Sequence, residues 1–259
     1  MGTPTARGAV TAHSPGGGAG LLLVLLLAFG YELTALHAPG WSRWRAASFL
    51  TGCVVLLIGL ALPAHSMTDH MRGHLLIAMI APLGLILGAP VTLLLRTLPV
   101  PTARRLTRLL RSGPARFMAH PVTALVLVIG GLPLLALPAA HAHPLVLAHF
   151  LLAGCLFAWV IAGADPAPHR PTVPVRLVIL GVAIAAHAIF AQILYATAPG
   201  DDQRTAATLM YYGGDLAELL LAFAVVQSRT PRRSAHAPFE VRVTGRSAET
   251  IPSPLSRAS

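Results

Sequence analysis

Two histidines and two methionines share one face of a helix at the start of an apolar stretch. His70 and His74 are four residues apart, and Met67 and Met71 join them in an i, i+3, i+4, i+7 pattern. Imidazole nitrogen and thioether sulfur together suit a soft metal such as Cu(I). The spacing therefore predicts a copper-binding face where a membrane helix meets water. A helix start whose histidines only touch water and lipid headgroups would have the same pattern.

Further candidate ligands lie in later apolar stretches, at depths estimated from a rise of about 1.5 Å per helical residue. His149 and Met210 lie one to two turns below the same surface, at the depth of His74. His187 and Asp215 lie deeper, near the middle of their stretches. Hydrogen bonding between helices would explain the two histidines equally well, and methionines commonly serve only for packing.

Two more observations complete the predicted metal site. His141 and His143 precede Pro144 at the start of one apolar stretch, where they are placed to capture an incoming metal. Asp215 and Glu218 are carboxylates inside a membrane stretch, which is costly and usually functional, and by depth His187 is the expected partner of Asp215. The predicted metal ligands are His70, Met71, His74, His143, His149, His187, Met210 and Asp215.

The composition that must position these residues is that of a membrane protein. The chain has 259 residues, of which 55% are hydrophobic and only 11% charged, whereas soluble domains carry about 25% charge. An all-α bundle of seven transmembrane helices is predicted over residues 20–228, with disordered tails at 1–19 and 229–259. The seven stretches are 20–36, 46–63, 71–95, 121–138, 144–163, 174–197 and 206–227.

Arginine predicts the orientation of the bundle. The chain has no lysine, and with the N-terminus outside and the C-terminus in the cytoplasm, all arginines except Arg7, Arg72 and Arg204 fall on the cytoplasmic side. This asymmetry is the positive-inside pattern of a multi-pass membrane protein. The net charge of +10 therefore indicates topology and attraction to the lipid bilayer. A nucleic-acid role is not supported, because no aromatic-interleaved basic patch accompanies the arginines.

Several motifs in order resemble the multi-spanning CtaG-type cytochrome c oxidase assembly proteins of bacteria. They are H-M-R-G-H-L-L-I-A-M-I-A-P from His70, H-P-L-V-L-A-H-F from His143, H-A-I-F-A-Q-I-L-Y from His187 and D-Q-R-T-A-A-T-L-M-Y-Y-G-G-D-L-A-E from Asp202. The resemblance implies a seven-helix bundle in the bacterial plasma membrane, linked to copper delivery to the oxidase. It also implies metal-site roles for the paired histidines His70 and His74 and for His149 and His187.

Together these observations predict an assembly factor that binds copper near its outer face. It would pass the copper to a copper-containing cytochrome c oxidase subunit, and a periplasmic copper carrier is a possible source. An enzyme is not expected, because the sequence has no nucleophile–base pair, phosphate loop or cysteine-based metal site. Two alternatives stay open: a cytochrome b-type haem enzyme with His74 and His149 as axial ligands, and a copper or proton transporter using His187, Asp215 and Glu218.

Overall fold

The computed structural model describes residues 15–63, 65–137, 143–166 and 170–227, and these are helical apart from short connections. No strand occurs among them, so the predicted all-α class is confirmed. The tail beyond 227, the first 14 residues and His141 lie outside the described residues, and the predicted domain limits stay predictions. Helix α1 begins at Pro15, five residues before the predicted start of the first span.

The bundle is built from long helices and several short ones. The helices are α1 (Pro15–Leu36), α2 (Arg43–Ala61), α3 (Met67–His74), α4 (Ala81–Leu87), α5 (Pro90–Thr97), α6 (Val100–Leu110), α7 (Gly113–Met118), α8 (Pro121–Gly131), α9 (Pro144–Ile161), α10 (Val173–Ala196) and α11 (Asp201–Gln227). A π-helical segment, Leu75–Ile80, joins α3 to α4, and a 3₁₀ segment, Leu132–Ala136, extends α8.

Six helical segments within the described ranges are long and apolar enough to cross a membrane, which makes the chain a multi-pass membrane protein. They are Gly18–Leu36, Arg43–Ala61, Met67–Thr97, Pro144–Ile161, Val173–Ala196 and Asp201–Gln227. The remaining predicted span corresponds to a shorter apolar segment, Pro121–Ala136. The count of seven spans and the orientation of the termini therefore stay predictions.

Glycines set how closely α2 and α4 approach each other. A Cβ on Gly52 would lie 2.6 Å from the backbone nitrogen of Leu85, and one on Gly84 would lie 2.8 Å from the Cα of Gly52. Real Cβ atoms do not come that close, so this interface requires glycine on both sides. Small residues serve this purpose widely in membrane bundles, because packing between helices replaces the hydrophobic effect.

The third span, Met67–Thr97, bends where α4 gives way to α5. Ala89 adopts a left-handed conformation with φ 53°, which is uncommon and costly for a residue with a Cβ. The carboxylate of Asp165, from the loop after α9, holds the next turn: it accepts hydrogen bonds from the backbone N–H groups of Val91 at 3.0 Å and Thr92 at 2.7 Å. The Thr92 hydroxyl donates a third bond at 2.6 Å. This carboxylate replaces the local N-cap that Ala89 lacks.

Candidate functional site

Helix α3 presents the paired histidines, and its start is fixed from two directions. The Ser66 hydroxyl accepts a hydrogen bond from the Asp69 backbone N–H at 3.1 Å, as an N-cap residue does. Asp202, 134 or more residues away in sequence, accepts bonds from the backbone N–H groups of Met67 at 2.7 Å and Thr68 at 3.2 Å, and from the Thr68 hydroxyl at 2.7 Å. The first turn of α3 is therefore tied to the first turn of α11.

His74 lies at the end of α3 and points into the bundle. Its side chain is buried, and its ring meets the ring of Phe150 on α9 edge-on, with 4.7 Å between the centroids. His70, one turn earlier, is half-buried. The two histidines therefore lie one turn apart on α3, with His74 the more deeply buried of the two.

A second buried histidine pairs with a carboxylate on the neighbouring helix. His187 Nδ1 on α10 lies 2.9 Å from Glu218 Oε1 on α11, and both side chains are at least 94% buried. The same nitrogen lies 3.1 Å from the carbonyl oxygen of Ala183, one turn earlier. Both neighbours of Nδ1 are acceptors, so this nitrogen carries the proton and donates it. The other carboxylate oxygen, Glu218 Oε2, is buried without a hydrogen-bond partner in the described part of the chain.

The pairing corrects one expectation from the sequence. Asp215 was the expected partner of His187, but the structure places Glu218 there and leaves Asp215 half-buried. Residues three apart on a helix differ by about 60° in direction. Estimates of depth do not include this rotation, and so they favoured the wrong carboxylate.

One small cavity brings these buried polar groups together. It measures about 50 Å³ and is lined by His74, His187 and Glu218, which come from α3, α10 and α11. Apolar side chains such as Phe150 and Phe157 form most of the remaining wall. The volume is enough for an ion or a few water molecules, since one water needs about 10–15 Å³ by this measure. We call this space the histidine cavity.

The π-helical segment adds a methionine to the wall of the histidine cavity. Met79 lines it together with His74, five residues earlier. In a regular α-helix, residues five apart point about 140° away from each other. In the π segment the Ala81 backbone N–H bonds to the Leu76 carbonyl oxygen, five residues back, and each turn holds an extra residue. The wider turn brings Met79 back toward the face of His74.

The two methionines that the sequence favoured lie elsewhere. Met71 and Met210 are each 1% exposed and belong to one apolar cluster with Leu132, Leu135 and Phe150. Their neighbours in this cluster are apolar side chains. Neither lines the histidine cavity.

The remaining predicted ligands also lie outside the wall of the cavity. His149 is half-buried on α9 and faces α8: its Nε2 would lie 3.0 Å from a Cβ added to Gly131. His143 is exposed and caps α9, with its Nδ1 accepting a bond from the Leu145 backbone N–H at 3.3 Å. A role for His143 in capturing an incoming metal is compatible with this exposure.

Across the described ranges, no group of three His, Cys, Asp or Glu side chains is arranged to hold a metal ion. Cys53 on α2 and Cys155 on α9 are free thiols. Metal binding therefore stays a prediction for the whole set, His70, Met71, His74, His143, His149, His187, Met210 and Asp215. Neither Glu218 nor Met79 was among the predicted metal ligands. No role was predicted for the Asp202 carboxylate.

Comparison with known proteins identifies one matching family and several similar proteins. The profile of the cytochrome c oxidase caa3 assembly factors matches residues 24–230. Uncharacterized proteins of Mycobacterium bovis and Mycobacterium tuberculosis are each 36% identical over 194 residues, and one of Mycobacterium leprae is 36% identical over 170. These alignments cover 67%, 67% and 58% of this chain, but only 29%, 29% and 26% of the relatives. No solved structure matches significantly.

Proposed function

The chain belongs to the family of cytochrome c oxidase caa3 assembly factors, and we propose that it binds Cu(I) as cargo in the histidine cavity. The copper then passes to a copper-containing subunit of the oxidase during assembly. In this role the protein is a non-catalytic copper carrier of the bacterial plasma membrane. A periplasmic copper carrier is the proposed donor of the cargo.

The observation that carries the proposal is the convergence of His74, His187 and Glu218 on one small cavity. Polar side chains inside a membrane bundle are costly, and those that persist usually serve a site. Three helices each contribute one such side chain to the same 50 Å³ space. Packing alone would fill that space with apolar side chains at no such cost.

The Glu218–His187 contact gives the histidine the form that a metal needs. Nδ1 donates to the carboxylate, so in the neutral ring the lone pair is on Nε2. A carboxylate that orients a histidine in this way is a common partner behind metal ligands. Glu218 is therefore proposed as a positioning residue, with His187 and His74 as the nitrogen ligands.

Met79 supports Cu(I) rather than Zn(II) as the proposed cargo. Two imidazoles would bind either metal, but a thioether favours the softer ion. Met79 lines the histidine cavity, whereas Met71 and Met210 lie in the apolar cluster. His70, half-buried one turn before His74, is proposed as the entry ligand between the surface and the cavity.

Copper binding by the purified full chain tests this proposal. A reduced sample is titrated with Cu(I) against a chromogenic chelator, for the wild type, His74→Ala, His74→Gln and Met79→Leu. His74→Ala and His74→Gln should weaken Cu(I) binding about tenfold or more, since each removes a ligand. Met79→Leu should weaken Cu(I) more than Zn(II).

A matched histidine on another helix supplies the control. His120 caps α8 through Val122, and His120→Asn keeps a good capping side chain while removing the imidazole. This variant should bind copper as the wild type does. Equal copper affinity in His74→Ala, His74→Gln and His120→Asn, with unchanged membrane levels, would show that the histidine cavity is not the copper site.

The buried pair also favours a second function, transport coupled to protons. His187 and Glu218 form a titratable pair in the bundle interior, as transporters often use. Copper uptake into proteoliposomes that depends on a proton gradient and is lost in Glu218→Gln would support transport over carriage. The haem alternative is disfavoured, because His149, its second proposed axial ligand, faces Gly131 on α8 and does not line the cavity that His74 lines.

A further inference from the structure

A groove between α5 and α6, separate from the histidine cavity, has the chemistry of a phospholipid headgroup site. It measures about 740 Å³ and lies where the third span ends and the amphipathic helix α6 begins. Its lining residues include Arg96, Arg104, Arg108, Leu95, Leu98 and Val100. Ligand pockets commonly measure roughly 300–1,000 Å³, so the groove can hold a headgroup and the first part of its acyl chains.

The charge of the groove is strongly one-sided. Arg104 and Arg108 are four residues apart on α6 and share the face that lines the groove, and Arg96 comes from the last turn of α5. No carboxylate lines the groove, and within the described ranges none of the three arginines forms an ion pair. Guanidinium groups bind phosphate oxygens in a two-pronged geometry, which a cluster of arginines reinforces.

Apolar side chains line the groove beside the arginines. Leu95 and Leu98 line the groove next to Arg96, and Val100 is 62% exposed at the start of α6. The guanidinium of Arg96 also lies over the ring of Trp41, 5.6 Å from its centroid. Such a cation–π contact holds the arginine in place beside the groove.

From this arrangement we propose that the α5–α6 groove binds one anionic phospholipid, with its phosphate on the arginines and its acyl chains along Leu95, Leu98 and Val100. Basic pockets at the ends of membrane helices bind anionic lipids in this way. A soluble phosphate compound would not use the apolar half of the groove. The site does not involve copper, so a test of lipid binding is independent of the proposed function.

Native mass spectrometry of the purified full chain tests the site directly. The protein in detergent is mixed with phosphatidylglycerol or with phosphatidylcholine of the same acyl chains. The wild type should retain one phosphatidylglycerol molecule and little phosphatidylcholine. In Arg104→Gln/Arg108→Gln, retention of phosphatidylglycerol should require about tenfold more lipid, because two phosphate-binding charges are lost.

A second double variant controls for net charge. Arg111 and Arg116 are exposed but do not line the groove, and Arg111→Gln/Arg116→Gln removes the same charge. This variant should retain phosphatidylglycerol as the wild type does. Equal losses in the two double variants would mean unspecific attraction, and equal retention of phosphatidylcholine by the wild type would mean detergent-like adsorption. Displacement of the lipid by inorganic phosphate alone would identify a free-phosphate site, and each of these results overturns the proposal.

Discussion

At the scale of residues, the His187–Glu218 pair is the most demanding interaction in the bundle. Both side chains are almost fully buried, and one carboxylate oxygen has no hydrogen-bond partner among the described residues. Loss of a buried hydrogen-bond partner typically costs about 1–3 kcal/mol, although the His187 Nδ1–H keeps the Ala183 carbonyl oxygen as a second acceptor. A bundle that needed only stability would avoid such a pair, so its presence argues for a function.

Glu218→Ala should therefore destabilise the protein by about 2 kcal/mol. Asp215→Ala, three residues earlier and half-buried, should cost less than about 1 kcal/mol. Thermal unfolding of the purified variants in one detergent measures both.

A double-mutant cycle checks whether the effect of Glu218→Ala comes from the pair itself. The losses in His187→Ala and Glu218→Ala should not add, and the coupling should lie within about 0.5–3 kcal/mol. Additive losses would mean that the two side chains act independently.

At the scale of elements, the π-helical segment shapes the histidine cavity, and its packing depends on one glycine. A Cβ on Gly154 of α9 would overlap the carbonyl oxygen of Ala78 in the π segment and lie 2.9 Å from Pro82 Cγ. Since backbone cannot yield as a side chain tip can, α9 and the π segment could not keep this contact with any larger residue. π-helical turns often mark functional sites, and here the turn carries Met79.

Gly154→Ala should consequently lower both the unfolding temperature and the affinity for Cu(I), because it pushes α9 away from the wall of the cavity. Gly181→Ala on α10 is the matched control, since a Cβ there meets nothing within 4 Å. That variant should be neutral or slightly more stable, as alanine favours helix over glycine by up to about 1 kcal/mol. If the two variants behave alike, the glycine is not required for this contact.

A second feature at this scale is the set of hydrogen bonds from the first turn of α3 to Asp202 on α11, which we call the clamp. Asp202 holds the first turn of the helix that carries His70 and His74. Asp202→Ala should lower the unfolding temperature and weaken copper binding, because the start of α3 loses its cap. Asp201→Ala should change neither, since its side chain is fully exposed and its nearest pair, with Arg204, is long at 3.8 Å. Identical unfolding curves for the two variants would exclude a role for the clamp.

These elements also mark how far the sequence could predict the structure. The length of the hydrophobic stretches predicted the long helices, and the i, i+4 spacing predicted that His70 and His74 lie one turn apart on the same helix. Met79 escaped prediction because a π turn changes the face on which a residue lies, and hydrophobic periodicity does not reveal that turn. The carboxylates of Asp202 and Asp165 act on helices distant in sequence, 74 residues away for Asp165 and Val91. Such contacts depend on how the helices assemble.

At the scale of the whole molecule, many large apolar side chains are exposed on the surface of the bundle, as expected for a protein surrounded by lipid. Side chains such as Leu23, Phe29, Leu152 and Val178 are each more than 60% exposed, which a lipid environment tolerates and water does not. The chain spans about 29% of the length of its first two mycobacterial relatives. The matched region is thus a membrane bundle that also occurs within much longer proteins.

The orientation of that bundle depends on the segment Pro121–Ala136, which decides between six and seven crossings. Its α-helical turns and its 3₁₀ turns, which rise about 2 Å per residue, give a length of about 26 Å. This is close to the roughly 30 Å hydrocarbon core, so we expect the segment to cross. Reporter fusions after Ser112 and after residue 140 should then report opposite sides of the membrane, with Ser112 and residue 228 on the cytoplasmic side. If the fusions at Ser112 and residue 140 report the same side, the bundle has six crossings and both termini lie on one side of the membrane. The orientation of the histidine cavity that the arginines predict would then be wrong.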